Sequence, residues 1–477
     1  MKLYDSLSRT KKTFTPMTEG KVSLYACGIT PYSDSHLGHG VAAIRFDTIR
    51  RYLEYKGNEV TFVQNVTNVD DKLIAKGNET GESPIAIANR HTAEYRELLE
   101  ILNVTAPIHE PDVISYIPQI ITYIEDLVKS NHAYVTEQGN VYFRIASDQD
   151  YGKLSRRKIE ANVEGTRVES ETDKADPNDF ALWKIDTHPE LSWDSPWGRG
   201  RPGWHIECSV MSNALLGEQI DIHCGGLDLL FPHHENEIAQ CEAHNHKPFV
   251  NYWVHSGLLT IDGQKMSKSL GNLVTLKDAI ARYGSALLKF TILRYHYRSE
   301  INLTDGIFEE NINAVLKNAR AYALLAKHSF DGTQPLDTQI VKEFEAAMDE
   351  DANSSEAIVA LQKGIDNGLY LYHKGSVQEG LRLISTAQRL ATSIGLIDEV
   401  ITLEAVENQL LSFQAKYCGK AESLTAKDVA NLIAARHEAK QGKNYAKADE
   451  VRDTLLSNGV TLLDNKGQAT QWMFKIS

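Results

Sequence analysis

The stretch Lys21-Val22-Ser23-Leu24-Tyr25-Ala26-Cys27-Gly28, a helix-like run from His39 to Tyr55, and then Asn58-Glu59-Val60-Thr61-Phe62-Val63-Gln64-Asn65-Val66 together decide the fold. The two outer segments alternate apolar and polar residues, as half-buried strands do. Strand, helix and strand in that order form the βαβ unit of a doubly wound, Rossmann-like parallel sheet that binds nucleotides.

Working outward, the character of the chain changes after about Ile108. A helical stretch from Tyr116 to Ser130 leads into a hairpin pattern, Ala133 to Ile145, with Gln138-Gly139-Asn140 near its turn. The region up to about Arg201 is polar and turn-rich and reads as an insertion into the sheet. Strand-like and helical segments resume from Ile206 to Ala243. From about Ala279 the chain reads as almost wholly helical. Ala314 to Ala326 and Val377 to Ile394 carry apolar residues at the three- and four-residue spacing of bundle helices. A further helical pattern runs from Thr425 to about Leu456, followed by Asn458-Gly459 and a strand-like tail. The class is therefore α/β: a doubly wound parallel-sheet domain with an insertion, followed by a helical bundle and a small C-terminal module.

With 477 residues the chain has room for two to four domains, and its 42% apolar share can fill several cores. Met1 to Gly20 lacks the apolar core of a signal peptide, and no uncharged apolar run reaches membrane-spanning length. The 5 cysteines are scattered and odd in number, which argues against a disulfide framework and fits a reducing cytoplasm. The net charge of −14 counts against generic nucleic-acid binding but is compatible with local basic patches.

Two motifs suggest polyphosphate chemistry. Gly28-Ile29-Thr30-Pro31 and His36-Leu37-Gly38-His39-Gly40 lie between the first strand and its helix. Backbone N–H groups and the dipole of a helix start favour anions there, and small residues allow close approach. A glycine-rich turn with two incidental surface histidines is the plainer alternative. Lys265-Met266-Ser267-Lys268-Ser269, ahead of Gly271-Asn272, places two lysines where a loop could close over a triphosphate and neutralise a leaving pyrophosphate. A solvated basic loop is the alternative there. In order and separation, the two motifs resemble the two signature sequences of class I aminoacyl-tRNA synthetases, with Leu37 in place of the commoner isoleucine. The literal GxGxxG at Gly198 to Gly203 is a decoy: it does not open a helix straight after a strand, Pro202 sits inside it, and it reads as a loop.

A third constellation is Cys27, then Cys208 in Gly203-Trp204-His205-Ile206-Glu207-Cys208, and His233 and Glu237 in Phe231-Pro232-His233-His234-Glu235-Asn236-Glu237. The spacing of four puts His233 and Glu237 on one helical face, and thiolate, imidazole and carboxylate are all sound zinc ligands. Buried cysteines beside a polar helix would read the same way. These segments, with Asn65-Val66-Thr67-Asn68-Val69-Asp70-Asp71-Lys72 and Val254-His255-Ser256-Gly257, resemble the cysteinyl-tRNA synthetases.

That resemblance implies one zinc ion per chain on Cys27, Cys208, His233 and Glu237, with His234 as a neighbour. It implies Thr30, His36, His39, Lys265 and Lys268 at the ATP phosphates, with magnesium accompanying ATP. It places Cys27, Thr67, Trp204, His223 and Asp228 around L-cysteine and nucleotide. Glycine is usual in the family at Cys224; here the thiol reads as an inert small side chain. Zinc prefers thiolate to hydroxyl, so cysteine can be told from serine on first binding with no editing domain. The expected partners are tRNA(Cys), L-cysteine and ATP, with no membrane, and the expected state is a cytoplasmic monomer. The expected boundaries are 1–110 with 202–255 for the catalytic domain, 111–201 for the insertion, 256–308 for the KMSKS connector, 309–404 for the bundle and 405–477 for the anticodon-binding module. Met348-Asp349-Glu350-Asp351-Ala352-Asn353 resembles a bundle motif of the family, with Asn353 or Ser354 as the cap of the next helix. Arg436, Lys440, Lys443, Lys447 and Arg452, with Tyr445 and Trp472, form a candidate surface for tRNA phosphates and unpaired bases, or else a solvated face. The rivals are a cysteine ligase of mycothiol synthesis and a non-catalytic paralogue that binds tRNA or metal.

Overall fold

The computed structural model describes residues 1–157, 173–265, 271–398, 401–464 and 470–476. Two compact units divide the chain: Met1–Glu100 with Thr105–Leu258, and Ile101–Val104 with Leu259–Ser477.

The first unit is built on a parallel four-stranded sheet. In chain order its parts are β1 (Lys21–Ile29), α1 (Leu37–Tyr55), β2 (Glu59–Val66), α2 (Asp71–Thr80), α3 (Trp204–Leu216), β3 (Ile220–Gly226), α4 (Glu235–Asn245) and β4 (Val250–Ser256). The strands lie in the order β4-β3-β1-β2, so the chain reverses its winding between β1 and β3. Ligands of such sheets bind beyond the strand carboxyl ends at that switch point. Tyr25 on β1 pairs with His223 on β3, which pairs with Trp253 on β4. β1 and β2 run in register as far as Ala26 with Gln64, then shift before Ile29 with Val66, so Cys27 and Gly28 sit in the irregular step. Parallel sheets are covered on both faces, and β3 is accordingly buried almost throughout, while β1 is buried at its centre, from Leu24 to Ala26, rather than alternating cleanly.

The insertion is more ordered than its composition suggests. Ala133–Val135, Val141–Phe143, Phe180–Ile185 and Gly200–Pro202 form a four-stranded antiparallel sheet. The GxGxxG decoy is thus partly strand rather than loop: Arg201 pairs with Lys184 in the sheet and forms side-chain ion pairs with Asp71 and Asp186. One apolar core runs through sheet and insertion, joining Tyr25, Ile124, Phe143, Trp183, Ile206 and Trp253.

The second unit is largely helical from Leu276 onward. The strand Ile301–Leu303 interrupts the expected all-helical run by pairing in parallel with Leu259–Ile261. Asn353 caps the helix Ser354–His373, its side chain accepting from the Glu356 N–H. Just before it, Asp351 is fully buried and left-handed (φ 68°), and its carboxylate accepts from the Tyr297 hydroxyl at 2.7 Å and Arg298 Nε at 2.8 Å. Asp351→Ala should cost about 1–3 kcal/mol, since it removes the buried acceptor of the Tyr297 hydroxyl and of the exposed Arg298 guanidinium. The measure is loss of hydrogen-exchange protection in Ser354–His373, and Asp351→Asn should lose clearly less because it keeps an acceptor and tolerates the left-handed backbone.

Candidate metal centre and nucleotide site

Cys27, Cys208, His233 and Glu237 converge, with ligand atoms all within 4.8 Å of one another. Cys27 comes from the irregular step at the end of β1, Cys208 from the second turn of α3, and Glu237 from the first turn of α4. His233 precedes the regular helix, in the turn Leu230–His234 where Phe231 leaves helical geometry (φ −142°, ψ 132°). Its Nε2 still lies 3.0 Å from Glu237 Oε1, as the four-residue spacing requires.

The chemistry of the donor set suits a cation. The Cys27 thiol donates to the Cys208 sulfur, which holds Cys208 down to about 6, while burial pushes Cys27 well up. Burial opposes charge on both His233 and Glu237. The Glu237 and Cys208 anions nevertheless raise His233 to about 10, and His223 with His233 keeps Glu237 well below its usual value. Two anions therefore stand buried side by side, a situation tolerated only with cationic or hydrogen-bonding partners. A divalent cation fits this set, and soft sulfur with imidazole and carboxylate suits zinc.

Histidines outside the cluster contact three of its four members, Cys27, His233 and Glu237, as the supports of metal ligands do. His223 donates from Nε2 to Glu237 Oε2 at 2.9 Å, and its fully buried ring stacks on Trp253 at 4.6 Å. His205 Nδ1 meets His233 Nδ1 at 2.9 Å. His234 Nε2 lies 3.3 Å from Cys27 Sγ, its Nδ1 2.9 Å from His255 Nε2, and His255 Nδ1 2.7 Å from Ser6 Oγ. Burial lowers both His234 and His255, so both rings are neutral and each passes one N–H along the chain, His234 Nδ1 to His255 and His255 Nδ1 to Ser6, leaving the unprotonated His234 Nε2 facing Cys27 Sγ. A Cβ at Gly225 would lie 2.4 Å from the His234 ring, so glycine is what admits that ring. Cys224 is buried in β3 and joins neither donor group.

Sequence reasoning left Asn65 outside the site. Its Oδ1 accepts from the Gly28 N–H at 2.9 Å and faces Cys208 Sγ at 3.7 Å, and its Nδ2 donates to Thr67 Oγ1 at 3.1 Å. A Cβ on Gly28 would lie 1.5 Å from the Asn65 carbonyl oxygen. The quoted NVTNVDDK segment was the available signal, but nothing in it singled out the asparagine. Trp204 is 40% exposed and stacks on His233 at 4.3 Å, so it walls the pocket while remaining open to solvent. Thr67 is buried and Asp228 exposed. Glu207 is fully buried beside Cys208, neither oxygen has a hydrogen-bond partner among the described residues, and burial raises it toward the neutral acid.

The loop that carries Thr30 and His36 follows β1 directly. Thr30 is half-buried, His36 is the N-cap of α1, and the His36 and His39 rings stack at 3.6 Å. Burial, then His36 and Lys72, hold His39 neutral. Lys72 Nζ stands 5.2 Å from the Tyr32 ring centroid and brings positive charge to this loop. The backbone of Lys265 lies in the strand Gln264–Lys265; Met266–Leu270, Lys268 included, fall outside the described residues.

The candidate tRNA surface is only partly assembled. Arg436 and Lys440 are engaged by Asp464, and Arg452 by Asp449 and Asp453. Trp472 is buried beneath the Arg320 guanidinium at 4.2 Å, whereas Tyr445 is 64% exposed with Lys443 and Lys447 exposed beside it.

The parallel sheet, its switch-point loop and the stacked histidine pair define a class I aminoacyl-tRNA synthetase. The family model for the class I (C) tRNA synthetase catalytic domain matches residues 13–314. A solved methionyl-tRNA synthetase of Mycobacterium tuberculosis with methionyl-adenylate superposes with a TM-score of 0.55 at 15% identity, covering 84% of this chain and 94% of that one. The cysteine–tRNA ligase of Brevibacillus brevis is 40% identical over 100% of both chains, and that of Hydrogenovibrio crunogenus is 40% identical over 99% of both. The chain belongs to the cysteinyl-tRNA synthetase family.

A second donor group, Cys27, His223, His234 and Glu237, shares two members with the first. The two differ in sulfur content, which X-ray absorption reads directly. We expect two sulfur scatterers in the zinc-loaded protein and one in Cys208→Ser; a single sulfur, unchanged by that substitution, would assign the ion to the second group.

Proposed function

We propose that the protein activates L-cysteine with ATP to cysteinyl-adenylate and pyrophosphate, then transfers cysteine to the terminal adenosine of tRNA(Cys). The observation that carries this reading is the thiolate-rich donor cluster on the residue that opens the phosphate loop: amino-acid selection and phosphate binding meet at Cys27 and Gly28.

Cys27, Cys208, His233 and Glu237 would hold one zinc ion. When bound, zinc supplies a soft Lewis acid that favours a thiol over the serine hydroxyl and lowers its pKa. The protein's own groups do the rest. His223 holds Glu237, Trp204 walls the pocket, and Thr67 and Asp228 face the amino acid and nucleotide. The amides of the loop after Gly28, with His36 and His39, orient the triphosphate so that the cysteine carboxylate meets the α-phosphorus in line. Lys265 and Lys268 offset the charge of the departing pyrophosphate, with magnesium accompanying ATP. The tRNA 2′-hydroxyl then attacks the cysteinyl carbonyl, forming the ester as the mixed anhydride breaks and AMP leaves.

The proposed division places catalysis in 1–110 and 202–255, the insertion in 111–201, the KMSKS connector in 256–308, the bundle in 309–404 and anticodon recognition in 405–477, in a cytoplasmic monomer. The paired helices Ala426–Gln441 and Tyr445–Ser457 support tRNA rather than a small amino-sugar acceptor, because the latter gives no reason for such a module.

Two experiments test this. Cysteine-dependent ATP–pyrophosphate exchange should require zinc, recover on its return, and be at least about 100-fold weaker with serine. No exchange by folded, zinc-loaded protein would overturn the reading. Removing residues beyond 405 should spare exchange while lowering tRNA charging at least tenfold; equal loss of both would refute the division of labour.

A further inference from the structure

Helix α1 carries the signature His39 in its first turn and Arg45 about 9 Å further along its axis. The Arg45 side chain is 1% exposed, and its Nη1 donates to Ser256 Oγ and to the Gly257 carbonyl, both at 2.9 Å. Ser256 is the last residue of β4, and beyond Gly257 the chain continues through Leu259–Ile261 to Gln264–Lys265. Arg50, one turn further along, behaves differently: it pairs with Asp47 and Glu54 of its own helix and with the Ala106 carbonyl.

Burial lowers the Arg45 guanidinium to about 10, which leaves it charged at neutral pH. A buried cation carries a desolvation cost that leucine or methionine in the same space would not. What the planar, many-donor guanidinium provides in return is direction. Gly257 has no side chain to pack, so its carbonyl is the handle by which the strand end can be aimed.

We propose that Arg45 is a positioning residue for adenylate formation, fixing the carboxyl end of β4 against the signature helix that carries His39. This rests on the synthetase reading above. A displacement of about 1 Å in a positioning element can cost a hundredfold in rate. Arg45→Met should therefore lower kcat of cysteine-dependent pyrophosphate exchange by about 10–100-fold. The KM for cysteine and the zinc content should stay within about twofold of wild type, because the donor cluster is untouched. Arg45→Lys should recover part of the rate, and Ser256→Ala should lose about 3–10-fold, roughly the share of one hydrogen bond. Adding Ser256→Ala to Arg45→Met should cost nothing further.

An unchanged kcat in folded Arg45→Met overturns the proposal. So does a joint fall of kcat, cysteine affinity and zinc content with no recovery in Arg45→Lys. If Arg45→Met fails to fold, Ser256→Ala decides, and wild-type kcat there is equally fatal. Wild-type protein assayed in parallel separates the two levels: no exchange in wild type removes the synthetase reading itself, whereas exchange unaltered by these substitutions removes only the role of Arg45.

Discussion

The step from Cys27 to Gly28 is the constraint on which the site depends. A parallel strand must stop pairing somewhere, and here β1 slips against β2 between Ala26 and Ile29. The slip lets one residue turn a thiol toward α3 and α4 while the next gives its N–H to Asn65. An ordinary side chain at Gly28 would collide with the Asn65 backbone, so the close approach of β1 and β2 exists only with glycine. From that point Cys27 belongs to the donor cluster with Cys208, His233 and Glu237, and the chain runs on from Gly28 into the loop that ends at the His36 N-cap.

Burying so many polar groups there is tolerable because most have a defined correspondent, Glu207 being an exception. Glu237 is shared between His223 and His233, His233 is backed by His205, and Cys27 is backed through His234 and His255 to Ser6. Such networks are costly when half satisfied and rigid when complete. Rigidity matters for selection, because cysteine and serine differ too little in shape for an adaptable pocket to separate them. The described part of the insertion adds an antiparallel sheet whose apolar core is continuous with that of the first unit.

The βαβ unit was legible because alternation and helical spacing are local properties, and the structure moves its boundaries by only a residue or two. His233 and Glu237 were legible as partners for the same reason. Their meeting with Cys27 and Cys208 depends on strand order, which spacing does not encode, so it came from resemblance and not from the residues. The roles of His205, His223 and His255 were hidden because a histidine that orients a ligand looks in sequence like one that fills space. The strands Phe180–Ile185 and Gly200–Pro202 were missed because short antiparallel segments rich in turns lack a long alternating run. Trp472 was misleading in the other direction: it read as a base-stacking platform, yet Arg320 from a distant helix covers it.

The insertion also has a part in holding the helical segment that carries His233 and Glu237. Glu235, between the two α4-side donors, spends its buried carboxylate on the N–H groups of Gly152, Leu154 and Ser155. Asn236 accepts from the Tyr151 hydroxyl at 2.5 Å, Lys153 pairs with Glu242, and the Arg157 guanidinium lies over the Phe231 ring at 4.5 Å. Several independent contacts thus bind residues 151–157 to the one helical segment whose start departs from regular geometry. That segment cannot hold His233 and Glu237 by helical hydrogen bonding alone, because the turn before Glu235 is broken at Phe231. The strap supplies what the helix lacks, and the insertion, which interrupts the sheet in sequence, completes the donor cluster in space.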